Sequence, residues 1–179
     1  MLKIIAIVIV LIVAGVLIAA TMQPASFAVS RTIAINAPAG KVYPHIVDFH
    51  AWNAWSPWEK IDPDMKRTFS GENAGKGAIY AWEGNGKVGQ GRMEIKDAQA
   101  PGKVVIALDF IKPIEGHNTA TFLLEPKGDT TQLTWTMTGP SRFITKVIGV
   151  FMSMDRMIGG DFEKGLAGIK AISETKPAA

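Results

Sequence analysis

The sequence predicts an α+β protein, with one N-terminal transmembrane helix followed by a curved, seven-stranded antiparallel sheet wrapped around a long C-terminal helix. Three observations carry that expectation. Residues Ile4–Ala20 contain no charged or strongly polar side chain. Six stretches between Lys66 and Thr138 read as strands separated by turns rich in Gly and Pro. From Ile144 to Ile172, apolar residues return at steps of three and four, the spacing of one helix face.

The apolar run comes first in the chain. As a helix it spans roughly 25 Å at about 1.5 Å per residue, enough for the hydrocarbon core of a bilayer. A cleaved secretory signal has an apolar stretch of about 7–15 residues ending in a small-residue site. This run is longer, and Ile18 before Ala19-Ala20 is large and branched. The expectation is therefore an uncleaved anchor over residues 1–22, with a cleaved signal as the alternative. Lys3 and the N-terminal amine flank its near side, and no Lys or Arg follows until Arg31. That asymmetry places the N-terminus in the cytoplasm and makes a single-pass protein with its domain outside. Deleting residues 1–23 is expected to release a folded, soluble domain, since the strand and helix patterns all lie beyond them.

Composition narrows the function. The 19 Lys+Arg and 16 Asp+Glu are interleaved and give a net charge of only +3, so nucleic-acid binding has no support. The absence of cysteine removes disulfides, thiolate metal sites and a Cys nucleophile. No metal-ligand spacing, phosphate-binding loop or nucleophile elbow is present, and no cofactor is expected.

After a linker at 23–26, Phe27–Ile35 reads as the first strand of a domain spanning 27–176. Asn36 is placed to cap a helix that starts near Pro38 and runs to about Val47. An aromatic, irregular piece, Phe49–Pro57, follows. The six strands are expected at Lys66–Ser70, Ala78–Glu83, Val88–Asp97, Lys103–Phe110, Asn118–Glu125 and Thr130–Thr138. Short turns between consecutive strands imply an antiparallel meander. The C-terminal helix is expected as one element bent at Gly159-Gly160, with Asp161 capping its second part. Thr175–Ala179 reads as a frayed tail.

This order, with its local wording, resembles the START-type helix-grip superfamily and its polyketide cyclase/dehydrase-like branch. The wording is Trp52-Asn53-Ala54-Trp55-Ser56-Pro57-Trp58, then Gly77–Asn85 followed by Val88–Ile95, then Asp161–Leu166. The resemblance covers roughly residues 27–174. It implies a helix-grip fold with a pocket between sheet and helix. Members of that superfamily bind lipids, hormones or polyketides and only some catalyse, so it implies a hydrophobic ligand more than a reaction. Many relatives lack a membrane anchor, and the N-terminal segment departs from that form.

The residues themselves mark out a cavity wall. With Asn85-Gly86 as a two-residue turn, Glu83 lies opposite Val88, Trp82 opposite Gly89, Tyr80 opposite Gly91 and Ala78 opposite Met93. That puts Tyr80, Trp82, Met93 and Ile95 on one face. In the last strand Leu133, Trp135 and Met137 share the buried face. Phe151, Met154 and Phe162 lie on the apolar helix stripe, and Trp52, Trp55 and Trp58 form either a lid or a plug. Candidate ligand contacts are thus Trp52, Trp55, Tyr80, Trp82, Met93, Ile95, Trp135, Met137, Phe151, Met154 and Phe162. A packed core explains the same residues. No catalytic residue is assigned. Asp48 with His50 could pair, but at a solvated helix end, and Glu94 faces out; Glu83, Asp109 and His117 complete the set of possible acid/base groups. The function expected is a membrane-tethered binding module for a small hydrophobic, lipid- or polyketide-like ligand. The alternatives are a cyclase- or dehydratase-like enzyme using a cavity carboxylate or His, and a structural or partner-binding domain with a filled cavity.

Overall fold

Short turns make consecutive strands pair as antiparallel neighbours, and the computed structural model, which describes residues 1–175, follows that rule from β2 to β7. The expected tail beyond Thr175 and the last residue of the expected domain lie outside the described residues. The strands are β1 (Ser26–Ile35), β2 (Lys66–Gly71), β3 (Ala78–Glu83), β4 (Gln90–Gln99), β5 (Lys103–Lys112), β6 (Gly116–Lys127) and β7 (Thr130–Pro140). Their order in the single sheet is β1-β7-β6-β5-β4-β3-β2. β1 therefore returns to pair with the last strand, Ile33 opposite Leu133 and Val29 opposite Met137. Register shifts between β4 and β5, at Gln90/Gly91 and Ile95/Asp97, bend the long strands. The concave face so formed receives the C-terminal helix: a helix-grip fold.

The helices are α1 (Leu2–Thr21), α2 (Ala39–Val42), α3 (Pro44–Val47), α4 (Trp58–Ile61), α5 (Phe143–Phe151) and α6 (Met154–Glu174). A 3₁₀ segment, Phe49–Ala54, lies between α3 and α4. The helix expected up to Val47 is two short pieces, because Pro44 has no N–H to continue the first. Asn36 does not cap it. The Asn36 backbone N–H instead donates to Glu174 Oε1 at 2.6 Å, which ties the end of β1 to the end of α6.

The C-terminal helix also differs from expectation. The break falls at Met152-Ser153, where Ser153 Oγ accepts from the Arg156 N–H and caps α6. Gly159-Gly160 lies inside α6 without interrupting it. Gly159 has another purpose: a Cβ there would collide with the Arg31 guanidinium. Arg31 uses that space to reach Asp155 and Glu163, each at 2.7 Å, and so fastens β1 to α6.

The core runs from Val29 to Ile169 and fills the space between sheet, short helices and α6. α1 is long and apolar enough to cross a membrane, and most of it is exposed. Its last turns are not free, however. Ala20 is fully buried, and α1 packs against α5. Removing residues 1–23 therefore leaves the main core intact and takes away the helix that packs on α5.

The β3–β4 hairpin is displaced by two residues from the expected register. Its loop spans 84–89, Trp82 faces Gly91, and Tyr80 faces Met93. The Gly84 N–H donates to the Gly89 carbonyl at 2.9 Å, and Gly89 takes φ +66°, a conformation that favours glycine. A two-residue slip keeps every side chain on its expected face, because the period of a strand is two. The partner of Trp82 changes all the same: a Cβ on Gly91 would strike the Trp82 ring and sit 2.7 Å from the Asp109 carbonyl oxygen. Gly91→Val is therefore expected to displace Trp82 and lower unfolding stability by about 1–3 kcal/mol as overpacking. Chemical denaturation followed by tryptophan fluorescence checks this, and an unchanged midpoint would place Trp82 elsewhere.

Candidate functional site

Seven of the expected residues converge on one apolar cavity of about 220 Å³ between the sheet and α6. β3 and β4 supply Tyr80, Trp82 and Met93 to it, β7 supplies Trp135 and Met137, and Trp52 and Phe162 come from the 3₁₀ segment and α6. Strand alternation explains the sheet residues, which occupy every second position on the concave side.

The other four candidates lie elsewhere. Ile95 is fully buried in the core and does not border the cavity. Trp55 is also core: its ring meets Trp52 at 4.6 Å and Trp135 at 5.8 Å, and its Nε1 donates to the His45 carbonyl at 2.8 Å. Met154 lines a second, more open groove beside α5. Phe151 is exposed, because the chain breaks just after it and α5 turns away from the sheet that α6 covers. The tryptophans of the Trp52–Trp58 stretch pack inward as a plug. Trp58 stands edge-on to Trp135 at 5.8 Å and to Phe162 at 6.3 Å.

Trp135 is the centre of this packing. Its ring stacks on Phe162 at 4.1 Å and on Phe122 at 4.8 Å, and Gly165 of α6 leaves room for its edge. The indole N–H groups of Trp52, Trp55 and Trp82 donate to backbone carbonyls. The Trp135 Nε1 is buried and has no partner among the described residues.

The sequence reading missed the charged group in the wall. Glu59, 6% exposed, borders the cavity from α4. Its Oε1 accepts from the Tyr80 hydroxyl at 2.5 Å and its Oε2 from Arg67 Nε at 2.7 Å. Arg67 also donates to the carbonyls of Pro63 and Met65. The cluster joins α4, the loop after it and the β2–β3 hairpin. Nothing local marks Glu59 in the sequence, where Trp58-Glu59-Lys60 looks like an ordinary solvated turn. The expected acid/base candidates stand away from the cavity. His50 Nδ1 lies 2.9 Å from Asp48 Oδ1, and His117 Nδ1 lies 2.7 Å from Asp109 Oδ1, all four side chains substantially exposed. Glu94 pairs with Arg92 and Lys96 on the outer face, as expected. Among the described residues no cluster of His, Asp and Glu could hold a metal ion.

Burial, and then the hydrogen bond to Glu59, push the Tyr80 hydroxyl above the ordinary tyrosine pKa. The folded protein thus holds this proton more tightly than the unfolded chain does. The stabilisation is complete below the unfolded value, about pH 10, and is lost as pH rises beyond it. Burial shifts Tyr43 the same way. Stability should therefore fall on alkaline titration, and Tyr80→Phe should flatten part of that fall while costing about 1.5–3 kcal/mol at neutral pH, the worth of a hydrogen bond to a charged group. Denaturant midpoints across an alkaline pH series check both; an identical slope in the variant would remove Tyr80 from the account.

Solved structures share this architecture. A protein from Chromobacterium violaceum superimposes with a TM-score of 0.58 at 14% identity, over 86% of this chain and 100% of that one. A protein from Nitrosospira multiformis gives 0.58 at 17% identity, over 81% and 94%. A protein of the dynemicin biosynthetic locus gives 0.58 at 13% identity, covering 83% of this chain but 47% of its own length. At these identities the likeness is one of fold. No curated protein matches the chain. The family description for polyketide cyclase / dehydrase and lipid transport matches residues 26–174, the whole of the sheet and α6, and the chain belongs to that family.

Proposed function

We propose that this protein is a membrane-tethered binding module that holds a small, mainly apolar molecule between the sheet and α6. The observation that carries the reading is the cavity, open space within an otherwise packed aromatic core. Its volume of about 220 Å³ exceeds the roughly 150 Å³ that accommodates a benzene and approaches the roughly 300 Å³ of small ligand pockets. A ring system or a short branched chain fits that space. The wall is aromatic and Met-rich, and Met adapts to ligand shape.

Two polar features refine the ligand. Trp135 borders the cavity and its N–H has no partner among the described residues, so a molecule that brings one carbonyl or hydroxyl oxygen within its reach is favoured over a pure hydrocarbon. Glu59 is the group a cyclase or dehydratase would draw on. Both of its oxygens are engaged by Arg67 and Tyr80, which favours the binding reading. The tether is α1, read as an uncleaved span with the domain on the extracytoplasmic side. Its packing against α5 supports retention, since cleavage near Thr21 would strip α5 of that cover.

The full chain in detergent or nanodiscs should bind polarity-sensitive apolar probes. Leu108 borders the cavity from β5, and Leu108→Trp, which extends a larger ring into it, should weaken binding at least about tenfold, or about 1.4 kcal/mol, with unchanged circular dichroism. A ketone should bind roughly 3- to 10-fold more tightly than the matched alkane, the worth of one buried hydrogen bond, and Trp135→Phe should erase the difference. Absence of probe binding by the folded chain would defeat the proposal. For the tether, protease treatment of spheroplasts should digest the domain, and the N-terminal sequence should begin at or next to Met1. A mature N-terminus near Thr21 would mean a cleaved signal.

A further inference from the structure

We propose that α5 is an interfacial helix that lies in the membrane surface beside the end of α1 and holds the open groove at its back against the lipid. The proposal rests on reading α1 as a membrane span.

α5 has two faces. Thr145, Lys146, Ile148, Gly149 and Met152, spaced by one, three and four, line a groove of about 510 Å³. The opposite face carries Phe143, Ile144, Val147, Val150 and Phe151 and has no polar residue. Val147 and Val150 are partly covered, and α1 is the element that α5 chiefly packs on. Phe143 is 56% exposed, Ile144 47% and Phe151 71%. Water is an unfavourable neighbour for such a surface, and a helix apolar on a free face marks a contact.

The occupant follows from the neighbouring helix. The side chains of α1 that are partly or wholly covered are Val16, Ala19 and Ala20, all in its last two turns, and α5 is the helix that packs on α1. A 20-residue helix is about 30 Å long and matches the hydrocarbon thickness, so its last turns sit at a bilayer boundary. α5 is held at that depth, where an amphipathic helix buries one face by about 5–10 Å. Exposed Ile114 and Met157 line the groove, and Met22, next after the end of α1, is exposed as well. The groove behind α5 shares Phe110, Met137 and Ile158 with the inner cavity, so one layer of side chains separates the cavity from the groove.

The chain has no cysteine, so single cysteines can be labelled cleanly. Spin labels at Leu11→Cys, Phe151→Cys and Asp129→Cys, in full-length protein in phosphatidylcholine/phosphatidylglycerol nanodiscs, should report three depths. Asp129 lies in the turn before the eleven-residue β7, about 35 Å from α5, and serves as the aqueous reference. Leu11 should collide with oxygen and exclude a water-soluble nickel complex. Phe151 should behave likewise at a shallower depth, and Asp129 should show the reverse. A nickel-accessible Phe151 alongside a lipid-embedded Leu11 would overturn the proposal and leave the anchor standing. Spin–spin broadening at Phe151 with exclusion of both reagents would mean a second copy covers α5, which also overturns it. A nickel-accessible Leu11 would defeat the anchor reading itself. As a second variant, Ile144→Asp with Phe151→Asp should slow probe uptake from vesicles about tenfold and leave affinity for detergent-delivered probe unchanged. Equal uptake rates would count against the proposal.

Discussion

The grip of the sheet on α6 depends on Trp135. Its ring stacks on Phe122 of the same sheet and on Phe162 of the helix, and meets Trp55 and Trp58 edge-on. Aromatic pairs of this kind contribute about 0.5–1.5 kcal/mol each beyond the area they bury. The contact forms only because the helix is smooth there. Gly165 admits the Trp135 edge, and Gly168 admits the backbone of Trp55. The aromatic stack fixes how closely the helix approaches β7, and the cavity is the space left towards β3 and β4.

Where the stack ends, polar chemistry takes over. Glu59, Arg67 and Tyr80 bond the segment carrying the Trp plug to the hairpin at the far edge of the sheet. A buried ion pair gives little net stability against an apolar replacement, but it constrains position, since a charge left without its partner is costly. The cluster therefore governs how the plug sits over the cavity. On the other edge, Arg31 binds Asp155 and Glu163, and Glu174 binds the Asn36 N–H. The sheet is thus tied to the plug at one margin and to α6 at the other, which leaves the groove beside α5 as the open flank.

Much of this was legible from local pattern. The strands were found with every end within two residues, because alternation and turn residues are local signals. Faces were read correctly at Tyr80, Trp82, Met93, Trp135 and Met137, even though the β3–β4 register was wrong by two. The error came from the turn: Gly89, at positive φ, lengthens the loop beyond Asn85-Gly86. The single long helix was a misreading because the stripe from Ile144 to Ile172 keeps its period across Met152-Ser153 while the backbone does not. Phe151 went with that error.

By itself the sequence determined the apolar first helix, the antiparallel meander, the inward faces and the absence of thiol chemistry, since each follows from the order of side chains along the chain. Tertiary structure alone decided the rest. Gly159 is a seat for Arg31 from a strand well over a hundred residues earlier, and Glu59 meets Tyr80 from a different element. α5 meets α1 across the whole length of the domain. These contacts join residues remote in sequence, and neither partner carries a local mark of the other. Burial, which turns an ordinary glutamate into a cavity wall and a glycine into a binding seat, belongs to the folded chain and not to any segment of it.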